Sequence, residues 1–308
     1  MTMIDVVTGG AGFIGSHLVD ALLAQGRRVR VLDNLSTGRE ENLADARRSW
    51  GERLELNVGD VRDSAAVKET LADAERVFHL AALVSVQQSV EHPRFCHEVN
   101  VTGTLNVLEE ACRAGVRRVV LASTCAVYGD DPELPKGEEM PPQPQSPYAA
   151  SKWMDEIYAG LYRRLYGLET AALRFFNVYG PRQDPASEYA AVIPKFVSRM
   201  LEGRRPVVFG DGEQTRDFVY VGDVVAACLR ATEGAASGVY NVGSGRRYSL
   251  LELVEVLNRV LGTRLEPEHA PARVGEVRHS VASVERARRD LGFEPRVTLE
   301  EGLRRMVG

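Results

Sequence analysis

The segment Ile4-Asp5-Val6-Val7-Thr8-Gly9-Gly10-Ala11-Gly12-Phe13-Ile14-Gly15 joins a β-branched run to three glycines with the spacing Gly9-x-x-Gly12-x-x-Gly15. A helical pattern of apolar residues follows at once over residues 14–25. In such a strand, loop and helix, the missing side chains let backbone amides approach a pyrophosphate at the helix N-terminus. The segment therefore predicts the first βα unit of a parallel sheet that binds a dinucleotide.

Short β-branched runs and amphipathic helices continue to alternate up to Phe176, which predicts a Rossmann-like, doubly wound parallel α/β sheet. After Phe176 the elements become shorter, with glycine turns at Gly210 and Gly212. This change predicts a smaller C-terminal α/β domain. The expected division is an NAD-binding domain over residues 1–176 and a nucleotide-sugar-binding domain over residues 177–308. The predicted elements cover residues 4–8, 14–25, 29–32, 65–71, 77–80, 99–114, 119–123, 149–166, 171–176, 250–261 and 284–291.

Two acidic residues follow the next predicted strands. Asp33 lies about 20 residues after the glycine motif, the distance at which a carboxylate binds the adenosine ribose hydroxyls. Because that carboxylate would repel the 2′-phosphate of NADP, and no arginine follows it until Arg39, NAD is the expected cofactor. Asp60 is expected to accept a hydrogen bond from the adenine amino group, and the alternative is that it caps the helix at residues 65–71.

Tyr148 and Lys152 occur in Y-A-A-S-K, downstream of S-T-C-A-V-Y-G at residues 123–129. Residues four positions apart share one face of a helix. There the ammonium and the positive charge of a bound cofactor would stabilise a phenolate whose ordinary pKa is about 10. The pair predicts hydride chemistry with Tyr148 as the base.

Composition narrows the class of protein. The chain has 308 residues, 44% of them apolar, and a formal net charge of −5 with no basic run, so nothing in it indicates a nucleic-acid partner. The sequence starts directly with a predicted strand, and no apolar run is long enough to span a bilayer. The scattered cysteines lack metal-ligand spacing and are expected to be reduced thiols in the cytoplasm; they are Cys96, Cys112, Cys125 and Cys228.

These motifs together resemble the extended short-chain dehydrogenase/reductase superfamily. The resemblance is carried by T-G-G-A-G-F-I-G-S-H-L, D-N-L-S-T-G, S-T-x-A-V-Y-G, Y-x-x-x-K and R-F-F-N-V-Y-G-P-R. Three later stretches resemble the nucleotide-sugar branch, most closely the UDP-hexose 4-epimerases: E-Y-A-A-V-I-P-K-F at 188–196, F-G-D-G-E-Q-T-R-D-F-V-Y-V-G-D at 209–223, and R-V-G-E-V-R-H-S at 273–280.

The resemblance implies a catalytic set of Thr124, Tyr148 and Lys152, with threonine in place of the usual serine. Lys152 would also bind the nicotinamide ribose. The implied reaction is transient oxidation of a UDP-hexose at C4, rotation of the 4-keto sugar and reduction on its other face. The implied NAD-binding residues are Gly9, Gly12, Phe13, Ile14, Gly15, Asp33, Asn34, Ser36, Thr37, Gly38, Asp60, Val61, Leu80, Ala81, Ala82, Asn100, Tyr148, Lys152 and Phe176.

Rotation of the sugar requires that the nucleotide be held while the hexose stays loose, and the guanidinium fork of arginine matches a diphosphate. The resemblance assigns this grip to Arg216 and Arg273. Serine at Ser280 replaces a bulky aromatic and predicts that UDP-GlcNAc and UDP-GalNAc are accepted beside UDP-Glc and UDP-Gal. The implied substrate-binding residues are Ser85, Thr124, Tyr148, Asn177, Ala191, Val192, Phe209, Arg216, Arg273, Arg278 and Ser280.

Other reactions of related enzymes need an acid next to the catalytic hydroxyl. The 4,6-dehydratases carry an Asp-Glu pair there and the uronate decarboxylases a glutamate, whereas this chain has Cys125 and Ala126. A UDP-uronate 4-epimerase or decarboxylase remains an alternative, with Arg182 as the candidate partner of the C6 carboxylate. A second alternative is a catalytically silent NAD-binding regulator.

Two further expectations concern partners and metals. Trp153, Ile157, Leu161 and Leu165 follow helical spacing; they can be core, or, as the resemblance implies, part of a two-helix face that forms a homodimer. No cluster of ligand residues accompanies His17 or His79, so no metal is expected.

Overall fold

The computed structural model describes residues 4–184, 191–234, 236–272 and 277–308. Seven parallel strands form the main sheet in the order β11-β6-β5-β4-β1-β2-β3. The strands are β1 Ile4–Thr8, β2 Arg28–Asp33, β3 Leu54–Val58, β4 Ala74–His79, β5 Arg118–Thr124, β6 Glu169–Phe175, β7 Asn177–Tyr179, β8 Val207–Phe209, β9 Thr215–Arg216, β10 Phe218–Tyr220, β11 Gly238–Val242, β12 Tyr248–Ser249 and β13 Glu268–Ala270.

The strand order places the site. β1 lies between β2 and β4. The strand order therefore runs outward from β1 in one direction through β2 and β3, and in the other direction through β4, β5, β6 and β11. Ligands of open parallel sheets bind beyond the carboxyl ends of the strands at this switch point. The glycine loop after β1, Asp33 at the end of β2 and Thr124 at the end of β5 all lie at that edge. The predicted Rossmann-like sheet is therefore confirmed.

The helices cover the sheet and build the C-terminal part. The longest is α7, whose start is fixed by Ser146, which accepts a hydrogen bond from the backbone N–H of Ala149, and whose end is fixed by the left-handed Gly167. The helices are α1 Phe13–Ala24, α2 Ala44–Trp50, α3 Ser64–Leu71, α4 Val86–Glu91, α5 Pro93–His97, α6 Gly103–Ala114, α7 Pro147–Tyr166, α8 Val192–Leu201, α9 Val221–Arg230, α10 Leu250–Leu261, α11 Glu285–Leu291 and α12 Leu299–Val307.

The chain after Phe176 contributes strands both to small pairs outside the main sheet and to the main sheet itself. Three two-stranded pairings, β7 with β10, β8 with β13 and β9 with β12, lie outside the main sheet. Between them the chain returns, because β11 adds to β6 as an edge strand of the main sheet. The return of β11 was not among the sequence-based expectations. A domain division at residue 176 stays a prediction.

Three buried apolar clusters hold the fold. Two lie on the main sheet: one includes Val7, Phe78 and residues of β11, and the other includes Val77 and Leu121. The third joins α8, α10 and α12, with Phe196 and Leu253 among its members. None of the described helices is long and apolar enough to cross a membrane.

Candidate active site

The glycine loop is too tight for side chains at two of its positions. A Cβ on Gly9, whose φ is +71°, would lie 2.8 Å from the backbone nitrogen of Ala81. A Cβ on Gly15 would lie 2.1 Å from the carbonyl oxygen of Gly9. The loop therefore packs backbone against backbone at the start of α1, as a pyrophosphate cradle requires. The residues present fit the dinucleotide that the sequence predicts.

Asp33 anchors this loop. Its Oδ2 accepts from the backbone N–H of Ala11 at 2.9 Å, and its Oδ1 accepts from that of Leu35 at 2.9 Å. Burial raises the pKa of the carboxyl, and these two hydrogen bonds oppose the rise. Because each carboxylate oxygen can accept a second hydrogen bond, both can still receive ribose hydroxyls. The ribose contact stays a prediction.

Asp60 has close partners of its own. Its carboxylate accepts from the Arg62 guanidinium at 2.9 and 2.8 Å, from the Arg62 backbone N–H at 2.9 Å, and from Asn34 Nδ2 at 2.8 Å. Arg62 holds the pKa of Asp60 well below its usual range. The alternative reading of Asp60 as a helix cap is wrong, because Asp63 caps α3. An adenine contact, which stays a prediction, would have to share or displace one of these donors.

Thr124, Tyr148 and Lys152 come together where β5 ends and α7 begins, and we call them the catalytic corner. Thr124 and Lys152 are buried, and the Thr124 hydroxyl lies close enough to the Tyr148 phenol to oppose the rise of its pKa. Thr124 Oγ1 also accepts from the backbone N–H of Ala126 at 3.1 Å. The structure thus assembles the three residues that the sequence predicts.

The electrostatics of the corner differ from the simplest expectation. Burial raises the pKa of Tyr148 to about 12, and the Thr124 hydroxyl only partly opposes this. Lys152 donates from Nζ to Asp155 Oδ2 at 2.7 Å. In the protein alone, Lys152 does not bring the pKa of Tyr148 below its ordinary value. The lowered phenol pKa stays a prediction for the complex with NAD, whose nicotinamide adds a positive charge.

Hydrogen bonds from neighbouring elements hold the start of α7. The backbone N–H of Tyr148 donates to Ser89 Oγ at 3.1 Å. The side-chain amide of Asn100 donates to Ser151 Oγ at 2.9 Å and to the carbonyl oxygen of Leu83 at 3.1 Å. Asn100 is fully buried and so braces the loop that follows β4 against α7. Its predicted contact with the cofactor is untested.

A buried ionic group behind the corner escaped the sequence-based expectations. Arg174 on β6 donates to both oxygens of Glu156 on α7, at 2.9 and 2.8 Å, and Ser123 Oγ donates to the same carboxylate at 2.5 Å. The Arg174 guanidinium lies 4.6 Å from the centroid of the Tyr128 ring. The signal was present as an arginine inside an apolar strand, but sequence alone did not show its partner.

The second half of the site lies in the C-terminal part. Phe209, Arg216 and Arg278, which we call the arginine rim, occupy β8, β9 and the segment after residue 276. Arg278 forms a bidentate ion pair with Asp211 at 2.8 and 2.7 Å. Arg216 Nη1 donates to the carbonyl oxygen of Thr215 at 3.0 Å. A phosphate role for Arg278 would compete with Asp211.

The remaining predicted substrate residues are placed as follows. Asn177 starts β7, and its backbone N–H donates to the carbonyl oxygen of Asp217 at 3.0 Å. Ser85 caps α4 by accepting from the Gln88 backbone N–H at 3.0 Å. Ala191 is the N-cap of α8 and Val192 its first residue. Arg273 and the beginning of E-Y-A-A-V-I-P-K-F lie outside the described residues.

Ser280 lies against the catalytic corner. Its side chain lies close to the thiol of Cys125, the residue after Thr124. Burial raises the pKa of that thiol to about 11, so Cys125 is neutral at ordinary pH. Two small side chains, those of Cys125 and Ser280, therefore lie next to Thr124.

Arg182 points elsewhere. Its Nη2 lies 2.8 Å from Asp20 Oδ2 on α1, so its charge is paired outside the corner. His17 Nε2, also on α1, hydrogen-bonds the carbonyl oxygen of Pro181, the residue before Arg182, at 3.0 Å. This pairing removes support from the uronate alternative. Within the described ranges, no group of three or more ligand side chains could hold a metal ion.

Comparison with known proteins adds to this geometry. The model of the NAD dependent epimerase/dehydratase family matches residues 6–243. A UDP-glucose 4-epimerase of Mycolicibacterium smegmatis is 46% identical over 99% of this chain and 97% of its own length. The structure of a UDP-glucose 4-epimerase from Thermotoga maritima with UDP-glucose is 41% identical, covers 99% of this chain and 97% of its own, and has a TM-score of 0.94.

A UDP-N-acetylglucosamine 4-epimerase from Methanobrevibacter ruminantium, solved in complex with UDP-N-acetylmuramic acid, is similar to the same extent. It is 40% identical, covers 100% of this chain and 98% of its own, and has a TM-score of 0.95. Both solved structures therefore match the chain from end to end.

Proposed function

The chain belongs to the NAD dependent epimerase/dehydratase family, with NAD as its cofactor, and we propose that it is a UDP-hexose 4-epimerase. Its substrates are UDP-glucose and UDP-galactose, and in addition UDP-GlcNAc and UDP-GalNAc. The observation that carries the proposal is the catalytic corner. It places a hydroxyl, a phenol and an ammonium at the carboxyl edge of the sheet, with no acid at either position after Thr124.

The residues of the corner transfer one proton between the substrate and Tyr148. Bound NAD would supply the hydride acceptor and donor for C4 of the hexose. Tyr148 as phenolate takes the proton of the 4-hydroxyl and later gives it back, which contributes typically about 10²–10⁴-fold to the rate. The Thr124 hydroxyl, which lies beside the phenol, can donate to and accept from the same substrate oxygen. Lys152 supplies positive charge beside the phenolate.

The chemistry next to the corner favours re-reduction over other outcomes. Cys125 is a neutral thiol and Ala126 has no functional group, so neither can protonate a departing C6 hydroxyl. A 4-keto sugar formed here has no acid to drive elimination. It is therefore reduced again, and the stereochemistry at C4 depends on which face it presents.

The arginine rim would hold the nucleotide while the hexose turns. Of the rim, Arg216 is assigned to the diphosphate and Phe209 to the uracil. Arg273 and Asn177, outside the rim, are also assigned to the diphosphate. Guanidinium groups suit this task because they bind phosphate oxygens through two hydrogen bonds at once. Binding free energy concentrated on the nucleotide leaves the sugar free to rotate.

The acceptance of N-acetyl sugars is the finer part of the proposal. It is supported by the small Ser280 and Cys125 side chains beside Thr124 and by similarity to the Methanobrevibacter ruminantium enzyme. A homodimer in the cytoplasm, with the division near residue 176, completes the proposal. Exposed apolar side chains on α7, Ile157 at 45% and Leu165 at 65%, support the dimer.

The test is incubation of the purified protein with UDP-Gal, UDP-GalNAc and UDP-GlcA separately, without added reductant, followed by NMR of the hexose. We expect conversion of the first two to their gluco epimers. Turnover of UDP-GlcA alone would replace the proposal by a uronate enzyme. Bound NAD with no turnover of any sugar would favour the silent regulator. The Tyr148→Phe protein is the matched negative control.

A further inference from the structure

Lys152 has a buried acidic partner on its own helix. Asp155 lies three residues after Lys152, and its Oδ2 accepts from Lys152 Nζ at 2.7 Å. The exposed fraction of the side chain is 3% for Lys152 and 2% for Asp155. Away from water, an ion pair is screened much less than on the surface. Asp155 therefore partly neutralises the positive charge of Lys152, which acts on Tyr148 less strongly than an unpaired ammonium would.

Asp155 also lies near a series of hydrogen bonds that starts at the main sheet. The Thr104 hydroxyl of α6 lies near its carboxylate and opposes the rise of its pKa, and it lies 2.9 Å from His79 Nε2. His79 Nδ1 in turn lies 2.7 Å from Thr8 Oγ1, the last residue before the glycine loop. These hydrogen bonds run from β1 through His79 to Thr104, which lies beside the carboxylate partner of Lys152.

The charges that face Tyr148 come from three elements. Asp155 lies on α7, the thiol of Cys96 lies on α5, and the thiol of Cys125 lies in the turn after β5. Burial raises the pKa of both thiols, so they are uncharged at neutral pH. Among the described residues, Asp155 is therefore the charged side chain that acts on the phenol, and Lys152 is its ion-pair partner.

Two other titratable groups border the ion pair. Glu156 follows Asp155 on α7, but both of its oxygens are bound by Arg174. Burial and the charge of Lys152 lower the pKa of His79 to about 3, so its ring is neutral. Burial raises the pKa of Asp155, and Lys152 and Thr104 oppose that rise.

We propose that Asp155 is a positioning residue that holds the ammonium of Lys152 and offsets its charge, so that Tyr148 ionises at a higher pH than Lys152 alone would allow. The proposal rests on the proposed function only in taking Tyr148 as the base. It makes Asp155 the residue that sets the lower pH limit of catalysis in this chain. It also predicts that removal of the carboxylate makes the phenol more acidic.

The experiment is a pH titration of Tyr148 by NMR of protein labelled with ¹³C at the tyrosine ζ carbon, with NAD⁺ added and no sugar. The Tyr148 signal is identified by its loss in Tyr148→Phe. In Asp155→Asn, which keeps the side-chain shape, we expect the phenol to titrate about one pH unit lower than in the wild type. The lower limb of the pH profile of kcat should move by the same amount.

Three variants guard this result. Asp155→Ala removes the carboxylate without offering an amide and should lower the titration midpoint as well. Asp155→Glu restores the charge and should return the midpoint towards the wild-type value. Glu91→Gln removes an exposed carboxylate of α4 that accepts only from Gln87, and it should leave the midpoint within about 0.2 pH unit.

An unchanged or higher midpoint in both Asp155→Asn and Asp155→Ala, with melting temperatures that show folded protein, would overturn the proposal. A raised midpoint would mean that Asp155 serves the base by placing Lys152 rather than by offsetting it. Because the titration needs no sugar, failure of epimerisation with a lowered midpoint would reject the proposed function and leave the role of Asp155 standing.

Discussion

The catalytic corner and the arginine rim are close enough that Arg216 acts on the pKa of Cys125 beside Thr124, yet they are built in opposite ways. The corner joins a seven-residue strand, β5, to a twenty-residue helix, α7, and the side chain of Lys152 is 3% exposed. The rim joins strands of two or three residues, and the side chain of Arg278 is 51% exposed.

This difference fits a reaction in which one part of the substrate is held and another part moves. Proton transfer needs atoms fixed within hydrogen-bond distance, which long, buried elements supply. A diphosphate can be held by long side chains whose partners exchange, as Arg278 and Asp211 can. The comparison therefore predicts that changes in the corner lower kcat, whereas changes in the rim raise KM.

The strongest test is Tyr148→Phe, which removes one oxygen from the corner. We expect kcat to fall by about 10²–10⁴-fold because the proton of the 4-hydroxyl loses its acceptor. NAD content should be unchanged, since the glycine loop and Asp33 are untouched. Steady-state epimerisation of UDP-Gal, with bound nucleotide measured by absorbance after denaturation, checks both. A variant with near wild-type kcat would show that Tyr148 is not the base.

Arg216→Lys tests the rim. Lysine keeps the charge but loses the planar fork, so we expect KM for UDP-Gal to rise about tenfold, the equivalent of one charge-assisted hydrogen bond. We expect kcat to stay within about threefold. Arg164→Lys, an exposed change near the end of α7, is the matched control. A fall in kcat with unchanged KM would place Arg216 in the corner instead.

The protein should also lose stability in acid because of His79, which borders the Lys152–Asp155 ion pair. The buried ring of His79 has a folded-state pKa of about 3, against about 6.5 when unfolded. Between these values the unfolded state binds a proton that the folded state does not. The free energy of unfolding should therefore fall by up to about 1.4 kcal/mol per pH unit as the pH drops below 6.5.

Urea unfolding at pH 7, 6 and 5 measures this slope. His79→Asn should be less stable at pH 7 but should lose less stability on acidification than the wild type. The same change at the exposed His97 should leave the slope as it is. Equal slopes in wild type and His79→Asn would mean that the ring accepts a proton in the folded protein.

Sequence predicted the two regions to different depths. Gly9, Gly15 and Asp33 belong to a local motif, and together with the alternation of strands and helices this motif predicted the loop, the sheet and the cofactor. The catalytic corner was predicted because Tyr148 and Lys152 share a helix face. Pairings that join distant elements were not predicted: Arg174 with Glu156, Arg182 with Asp20, and β11 with β6. These depend on which strands become neighbours, and no local pattern records that.

The smallest expected effect comes from Thr124→Ser, which removes only the methyl group that distinguishes this corner from the serine usual in related enzymes. The threonine methyl restricts χ1, and here the hydroxyl accepts from the Ala126 backbone N–H and lies beside the Tyr148 phenol. Because those partners would orient a serine hydroxyl as well, kcat should change less than about threefold.

Thr124→Val is the partner variant in this test, because it keeps the branched shape and loses the hydroxyl. We expect it to lower kcat by at least about tenfold, since the substrate oxygen loses one of its two hydrogen-bond partners. Steady-state rates of the two variants with UDP-Gal and UDP-GalNAc separate shape from hydroxyl. If Thr124→Ser lowered kcat as much as Thr124→Val, the methyl group would itself contribute to catalysis. The expectation that the corner acts through fixed polar atoms would then be wrong.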